Sequence, residues 1–309
     1  MKNVFDFRDE LVSDYSSFSR SFTRIVAPDI RQEVERQYDA VRYWPEALIQ
    51  IKPNYQRKTT VQQFAEQGIL HKNFAYIFQV GKLEHNPQQL HLYTQQRQAI
   101  AKSQSGQSYV VTTDTGSGKC LSFFIPVIDK ILQDKVSDGI AKTRAIVIYS
   151  MNALANSQLE ELNKFLYGYD DVERPFSVAR YTGQESKTER EAIAENTPDI
   201  LLTNFMIIEL ILTRYEDTDL RVVEYYKGLN FLFLDELHTY RGRLSADVAL
   251  LVRRLRERLR AEQMICIATS ATMSSTGSKD DQMNSVAEIF SKLFGTLSQP
   301  TTLSVKRFY

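Results

Sequence analysis

A short glycine-rich run has the residue types of a phosphate-binding loop. Residues 113–119 read TDTGSGK, follow the apolar run 109–112 and precede a segment whose apolar residues recur every three to four positions. Glycines let backbone N–H groups turn toward phosphate oxygens, a helix N-terminus adds partial positive charge, and Lys119 adds a full one. A Gly-Ser linker is the alternative, but the strand–loop–helix context favours a nucleotide site. Its candidate residues are Thr115, Gly116, Ser117, Gly118, Lys119 and Cys120.

Two adjacent carboxylates form the second element that could do chemistry. Asp235 and Glu236 follow the apolar run 231–234, which reads FLFL. A strand that ends in carboxylates places them at the carboxyl edge of a parallel sheet, where ligands bind. Phosphate hydrolysis needs one carboxylate to hold Mg²⁺, directly or through its waters, and another to position and deprotonate water. Asp235 suits the first role and Glu236 the second. The alternative is that the pair only caps the next helix.

The third element is a run of small hydroxylated residues. Residues 268–272 read ATSAT and follow the predicted strand 264–267. Hydroxyl groups at a strand end can hydrogen-bond a neighbouring carboxylate and His238. A sequence of this kind is also common in ordinary turns, so its place in the order of the three elements is more informative than its composition.

These elements need a sheet to bring them together. Apolar runs that alternate with helical patterns predict six strands, at 109–113, 144–150, 177–182, 199–203, 230–235 and 264–269. Near-continuous Val, Ile, Leu and Phe predict strands buried on both faces, hence an α/β fold with a mostly parallel sheet and helices on both sides. Residues 134–142 and 216–228 are predicted to be surface connections.

The first part of the chain has a different character. Residues 1–84 are rich in aromatic side chains, with helical spacing at 10–25 and 28–42, and predict a helical accessory segment. Residues 85–309 carry the predicted strands and all three chemical elements. We therefore predict an N-terminal helical segment over 1–84 and a nucleotide-binding domain over 85–309.

Composition limits the class of protein. The 309 residues are 43% apolar and 25% charged, with zero formal net charge, which is typical of a globular protein with no global attraction for nucleic acid. Two cysteines far apart argue against a disulfide framework or a zinc site. The chain opens without the apolar core of a signal peptide, and no apolar run approaches the length of a membrane span. We expect a cytoplasmic protein.

Several further motifs carry a resemblance to a known family. They are residues 149–158 (YSMNALANSQ), 180–185 (RYTGQE), 199–204 (DILLTN) and 235–243 (DELHTYRGR). With the elements above, the chain resembles the first RecA-like domain of superfamily 2 DExH-box helicases, which is a P-loop NTPase fold. It is further similar to large bacterial helicases of phage-defence loci, DISARM-type systems among them, and to MrfA-like DNA helicases. Residues 4–9 and 44–50 also resemble the N-terminus of that group, so the similarity covers nearly the whole chain.

The resemblance implies ATP and Mg²⁺ as cofactors and gives roles to particular residues. Lys119 would bind the β- and γ-phosphates, Asp235 would hold Mg²⁺, and Glu236 would activate water. Gln96, in the run 92–100, would read the adenine edge; the alternative is an amphipathic helix with an exposed glutamine face. The residues that would couple the nucleotide site to a bound strand are His238, Ser270 and Thr272.

The resemblance also implies single-stranded or partly duplex DNA as a partner, with RNA as the alternative. Residues that grip one strand contact phosphates mainly through N–H, hydroxyl and amide groups. They would be Asn152, Gln158, Thr182, Gly183, Thr203, Asn204 and Arg241. Outside the resemblance, each would be an ordinary loop residue or helix cap. The arginines of 241–260 belong either to this surface or to the solvated face of a helix, because apolar residues recur at helical spacing between them.

Two residues of the phosphate loop depart from the family pattern. Cys120 stands where such loops usually have a Ser or Thr hydroxyl as a ligand to Mg²⁺, and a thiol is a poor ligand for that hard ion. Asp114 places a carboxylate inside the loop, where it would repel a nucleotide unless it points away or is paired. Both departures indicate weakened hydrolysis with nucleotide binding partly retained.

The expected function follows from the resemblance. We expect the ATP-binding motor half of an ATP-dependent DNA helicase or translocase, acting in bacterial anti-phage defence. Only a short tail follows residue 295, so a second RecA-like domain, with the arginine that stabilises charge on the γ-phosphate, is expected in a larger protein or a partner subunit. The alternatives are a non-catalytic ATP-binding or assembly module, which recruits partners through residues 1–80, and an RNA-directed helicase domain.

Overall fold

A computed structural model describes residues 3–22, 24–40, 57–112, 118–170, 173–214, 217–240, 242–270, 279–295 and 301–304. The chain divides into two compact units, Met1–Lys52 and Pro53–Tyr309. The second unit thus includes residues 57–84, whose apolar side chains, such as Phe74, share a core with the sheet. The extent of the nucleotide-binding domain, 85–309, stays a prediction.

The first unit contains two helices, as the apolar spacing predicted. Helix α1 spans Val4–Ser21 and helix α2 spans Pro28–Asp39. The Asn3 side chain accepts hydrogen bonds from the N–H groups of Phe5 and Asp6, both at 2.9 Å, so α1 begins at Val4 rather than at residue 10. Pro28 stands at the start of α2, where its missing N–H costs nothing.

The second unit alternates strands and helices. Its strands are β1 (Arg57–Thr60), β2 (Gln79–Val80), β3 (Gln88–Gln89), β4 (His91–Tyr93), β5 (Tyr109–Thr112), β6 (Ala145–Tyr149), β7 (Val178–Tyr181), β8 (Ile200–Asn204), β9 (Phe231–Leu234), β10 (Ile265–Ser270) and β11 (Thr301–Ser304). Its helices are α3 (Val61–Glu66), α4 (Phe74–Ile77), α5 (Thr94–Gln104), α6 (Leu121–Ser137), α7 (Asn152–Phe165), α8 (Lys187–Glu195), α9 (Phe205–Thr213), α10 (Asp217–Tyr225), α11 (Arg243–Arg258) and α12 (Lys279–Phe294), with a 3₁₀ turn at Leu237–Thr239.

Seven of the described strands form one parallel sheet in the order β11-β5-β10-β9-β6-β8-β7. All six predicted strands are present, so the predicted parallel α/β fold is confirmed. The seventh, β11, was not predicted, and it pairs with β5 from Thr301 to Ser304. Because every strand runs the same way, the residues that follow β5, β6, β8, β9 and β10 meet at one edge of the sheet.

Helices cover both faces of the sheet, and alternate residues of each strand point to opposite faces. We call one face the α6 face; it packs on α5, α6 and α7 and carries Tyr109, Val147, Tyr149, Phe233 and Ile267. We call the other the α11 face; it packs on α9, α10, α11 and α12 and carries Val110, Ile148, Leu234 and Ala268. No helix among the described residues is long and apolar enough to cross a membrane.

Both predicted surface connections, 134–142 and 216–228, are wrong in part. Helix α6 continues to Ser137, and the stretch predicted as a connection at 216–228 contains helix α10. Val222 and Val223 of α10 are buried on the α11 face. Because charged residues flank these two valines in the sequence, the apolar pattern did not predict this short amphipathic helix.

A buried arginine joins the starts of two central strands, at the edge opposite the chemical residues. Only 1% of the Arg144 side chain is exposed, and it donates to Asp199 at 3.2 Å and to Asp138 at 2.7 Å. Breaking a buried pair by removing one partner leaves an uncompensated charge. We expect Arg144→Met to lower the free energy of unfolding by about 3–5 kcal/mol, measured by urea denaturation. Lys130→Ala, which removes an exposed pair with Asp134, is the control, with an expected loss below about 1 kcal/mol. Equal losses for the two variants would contradict this role for Arg144.

Candidate functional site

The two carboxylates lie at the end of β9, held by the strands on either side. The N–H of Asp235 donates to the carbonyl oxygen of Ile148 at 3.0 Å and so extends the β9–β6 pairing by one residue. On the other side, the Thr269 hydroxyl donates to Asp235 Oδ1 and accepts from the N–H of Glu236 at 3.1 Å. Hydrogen bonds therefore fix the carboxylate of Asp235 and the backbone of Glu236.

Thr269 is a site residue that the sequence reasoning missed. Ser270 and Thr272 were predicted as the functional hydroxyls of this run; Ser270 is buried in register with Thr112, and Thr272 lies outside the described residues. Strand alternation could have found Thr269, because residues 265, 267 and 269 of β10 point to the same face as 231, 233 and 235 of β9. The coupling role of Ser270 and Thr272 stays a prediction.

Asp235 is largely buried. Burial raises the pKa of its carboxyl group above the ordinary value, and the hydrogen bond from Thr269 acts in the opposite direction. Glu236 raises this pKa further, while Lys119 lowers it. A buried carboxylate of this kind gains from a bound cation, which stabilises its charged form.

Glu236 lies between two basic side chains. Its Oε1 is 3.8 Å from Lys119 Nζ, and its Oε2 is 3.2 Å from His238 Nδ1. The histidine contact is not aligned as a hydrogen bond, and it becomes an ion pair only if the imidazole is protonated. The backbone of Glu236 has φ +51°, a left-handed conformation that is uncommon outside glycine. This sharp turn brings the predicted phosphate-binding lysine and the predicted catalytic carboxylate together.

Gln96 lies beside the end of the phosphate loop. Its Oε1 accepts from the N–H of Tyr93 at 2.8 Å, and its Nε2 donates to the carbonyl oxygen of Gly118 at 3.0 Å. Gly118 has φ +70°, and a Cβ there would lie 2.9 Å from Gln96 Nε2. Because Gln95 and Gln96 are buried, the alternative of an exposed glutamine face is wrong. The adenine contact of Gln96 stays a prediction.

Cys120 immediately precedes α6. Burial, followed by the negative charge of Asp235, raises the pKa of its thiol to about 11. The thiol is therefore neutral near pH 7. The side chain of Gln158 on α7 has a smaller, lowering effect on the pKa of Cys120, so Gln158 lies close to Cys120 at the end of the phosphate loop. Thr115, Gly116 and Ser117 lie outside the described residues, as does Asp114.

Four of the predicted strand-binding residues come together where β6, β7 and β8 end. The Asn204 amide donates to Asn152 Oδ1 at 2.8 Å and to the carbonyl oxygen of Thr182 at 3.1 Å. Its Oδ1 accepts from the N–H of Ile207 at 2.9 Å and so caps α9. We call Asn152, Thr182, Gly183 and Asn204 the amide cluster.

Glu185 organises one side of the amide cluster. Its Oε2 accepts the N–H groups of Thr182 and Gly183 at 2.7 and 2.8 Å, and its Oε1 accepts Arg180 Nε at 2.6 Å. Burial acts to raise the pKa of Glu185, but these hydrogen bonds outweigh it and the pKa is lowered. Phosphate contact through the N–H groups of Thr182 and Gly183 therefore requires exchange with Glu185.

Two further predicted strand-binding residues are not among the residues of the amide cluster. The Thr203 hydroxyl is buried and donates to the carbonyl oxygen of Tyr181 at 2.6 Å, and Arg241 lies outside the described residues. In α11 the apolar stripe is confirmed, since Val248, Leu251, Val252 and Leu255 are buried. Arg253, Arg254 and Arg258 occupy the exposed side of this helix, and Arg254 pairs with Glu209 at 2.5 Å.

Comparison with known proteins shows which family has this arrangement of residues. The sequence profile of the DEAD/DEAH box helicases matches residues 93–280, which is more than half of the chain and includes Gln96, Lys119, Asp235 and Thr269. The chain belongs to the DEAD/DEAH box helicase family. The seven-stranded parallel sheet is accordingly the RecA-like fold of these helicases.

Individual members of the family support this assignment. YprA of Bacillus subtilis, an uncharacterised ATP-dependent helicase, is 30% identical over 194 residues, which cover 62% of this chain and 24% of YprA. The Druantia protein DruE of Escherichia coli is 25% identical over 292 residues, covering 59% of this chain and 16% of DruE. A crystal structure of the DUF1998 helicase MrfA bound to DNA shares the fold, with a TM-score of 0.61 and 24% identity, covering 86% of this chain and 31% of MrfA. The chain thus spans less than a third of each of these helicases.

Proposed function

We propose that this chain is the ATP-binding motor half of an ATP-dependent DNA helicase or translocase. The observation that carries the proposal is the meeting of Lys119 with Glu236, at 3.8 Å, beside an Asp235 that Thr269 holds in place. A cation, a buried carboxylate and a second carboxylate at one sheet edge are what phosphoryl transfer to water needs. Membership of the helicase family supports ATP as the nucleotide.

The residues present fit a hydrated Mg²⁺ ion. Within the described residues no cluster of three His, Cys, Asp or Glu side chains could hold a metal ion, so a metal here would depend on Asp235, water and the nucleotide phosphates. Buried oxygens of Glu236, Tyr149 and Gln158 have no hydrogen-bond partner in the described structure, and they would suit metal-bound water. Bound Mg²⁺ would neutralise charge on the transferred phosphoryl group.

Lys119 would exchange one anionic partner for another during binding. Its Nζ lies near Glu236, and a β- or γ-phosphate would compete for the same positive charge. Glu236 would then be released to orient and deprotonate water, with His238 at 3.2 Å as its remaining basic neighbour. Through this exchange, nucleotide binding would free the Glu236 carboxylate to act as the catalytic base.

Single-stranded or partly duplex DNA is the proposed partner, and the amide cluster its proposed contact. Neutral amide and hydroxyl groups at one sheet edge suit contact with phosphates without reading sequence. We expect Asn204→Asp to weaken single-stranded DNA binding by about tenfold, because it places a negative charge at the proposed contact with phosphates and keeps the cap of α9. Fluorescence anisotropy with a labelled oligonucleotide measures this affinity.

The control for Asn204→Asp is Thr60→Asp, which places the same charge at the cap of α3. It should leave DNA affinity within twofold of wild type. Equal weakening by both variants would show a general charge effect and remove the amide cluster from the interface.

A complete hydrolytic site needs residues from outside the described sheet. Because the described residues build one RecA-like sheet, we propose that the arginine completing the hydrolytic site comes from a second RecA-like domain, in a longer protein or a partner subunit. We also propose a role in bacterial anti-phage defence, which the resemblance of the sequence motifs to helicases of phage-defence loci supports.

Strand-stimulated ATP hydrolysis tests the proposed function. ATP turnover should rise and saturate as single-stranded DNA is added to the protein together with its second RecA-like domain, and an RNA of the same length should stimulate less. Greater stimulation by RNA would support the alternative of an RNA-directed motor. ATP binding without turnover under all these conditions would support the alternative of a non-catalytic ATP-binding module.

A further inference from the structure

Tyr149 and Asp235 lie side by side on neighbouring strands. Ile148 of β6 pairs with Leu234 of β9, and the hydrogen bond from the Asp235 N–H to Ile148 continues that register. Parallel strands run about 4.8 Å apart, and residues in register point to the same face. Tyr149 therefore stands next to Asp235 on the α6 face, as Thr269 does on the other side.

The Tyr149 hydroxyl is buried without a partner. The residue is 2% exposed, and its oxygen forms no hydrogen bond with the described residues. Burial, followed by the negative charges of Asp235 and Cys120, raises the pKa of this phenol well above its ordinary value, so it keeps its proton. An unsatisfied buried hydroxyl costs about 1–3 kcal/mol, which indicates a group suited to a ligand.

Gln158 brings a second buried oxygen to the same place. The side chain lies close enough to Cys120 to lower the pKa of the thiol, and its Oε1 is buried and has no partner in the described structure. Tyr149 and Gln158 thus each bring an unpartnered buried oxygen close to Cys120, which in turn lies near Asp235. The strand-binding role of Gln158 stays a prediction.

The chemistry of Cys120 explains why oxygens are needed here. A sulfur atom is a poor ligand for Mg²⁺, which prefers oxygen and keeps several of its waters. Those waters need acceptors in the protein, and such outer contacts tune metal affinity. A phenol oxygen and an amide oxygen beside Asp235 provide them.

We propose that the Tyr149 hydroxyl and the Gln158 amide oxygen orient the hydrated Mg²⁺ of the bound nucleotide, taking over the support that a hydroxyl at position 120 would give. This inference rests on the proposed ATP site. Both are positioning residues, since they act through metal-bound water.

The test is the Mg²⁺ dependence of nucleotide binding. A fluorescent ATP analogue is titrated onto the protein at increasing Mg²⁺, and also in EDTA. Tyr149→Phe and Gln158→Leu should each raise the Mg²⁺ concentration for half-maximal binding about fivefold, and leave binding in EDTA unchanged. Adding Cys120→Ser to Tyr149→Phe should bring the midpoint back toward wild type, because it supplies the missing hydroxyl.

Tyr109→Phe is the matched control. It removes another buried tyrosine hydroxyl from the α6 face, one that donates to the carbonyl oxygen of Ser122 at 2.8 Å. It should lower thermal stability and leave the Mg²⁺ midpoint unchanged. Unchanged midpoints in the Tyr149 and Gln158 variants, or equal losses of binding with Mg²⁺ and in EDTA, would overturn the inference. Wild-type protein that binds no nucleotide would instead overturn the proposed function.

Discussion

Lys119→Ala is expected to weaken Mg-ATP binding by about 100-fold, which corresponds to about 2.8 kcal/mol. The lysine supplies a full positive charge at the end of the phosphate loop, and its side chain is only 14% exposed, so solvent screens it little. Loss of one partner from a desolvated charge pair costs about 2–5 kcal/mol. Isothermal titration calorimetry measures the change.

The matched control for Lys119→Ala is Lys130→Ala, in the α6 helix that follows the loop. Lys130 pairs with Asp134 at 2.6 Å on the exposed side of that helix. It should leave ATP affinity within twofold of wild type. An affinity within threefold of wild type for Lys119→Ala itself would place the phosphates elsewhere.

Glu236→Gln is expected to separate binding from hydrolysis. The substitution keeps the shape of the side chain and removes the charge that would accept a proton from water. Loss of a positioned general base lowers the rate by about 10²–10⁴-fold. Since Glu236 also attracts Lys119 at 3.8 Å, nucleotide affinity should be equal to or tighter than wild type. Single-turnover hydrolysis with DNA and the second RecA-like domain present measures the rate.

Glu288→Gln controls for the loss of one glutamate charge. Glu288 is exposed on α12 and pairs with Lys292, one turn further along the same helix. This variant should hydrolyse ATP at the wild-type rate. A wild-type rate in Glu236→Gln would mean that another group activates water.

Strands were predictable because apolar residues dominate them. Runs such as FLFL at 231–234 can be buried on both faces, so each of the six predicted strands lies within a residue or two of its place. β11 reads TTLS and has no such run. It joins the sheet because β5 offers backbone hydrogen-bonding groups, which the sequence of β11 alone does not reveal.

Site residues that belong to a sequence motif could be predicted. Site residues that only tertiary contacts bring to this edge of the sheet were harder to predict. Lys119, Asp235 and Glu236 follow from their residue types and order along the chain. Thr269 and Tyr149 were identified through strand register, which sets them on either side of Asp235. Gln158 is one and a half turns into α7, and only the packing of that helix brings it to Cys120.

The most direct test of the nucleotide site is hydrogen–deuterium exchange with and without Mg-ATP. Binding should slow exchange in the peptides that span β5 to the start of α6 and the end of β9 to the 3₁₀ turn, since these segments would contact the phosphates and the metal. The Lys119→Ala variant should lose that protection at the same ATP concentration. Protection confined to other segments, or protection that persists in Lys119→Ala, would contradict the assignment of the ATP site to this edge of the sheet.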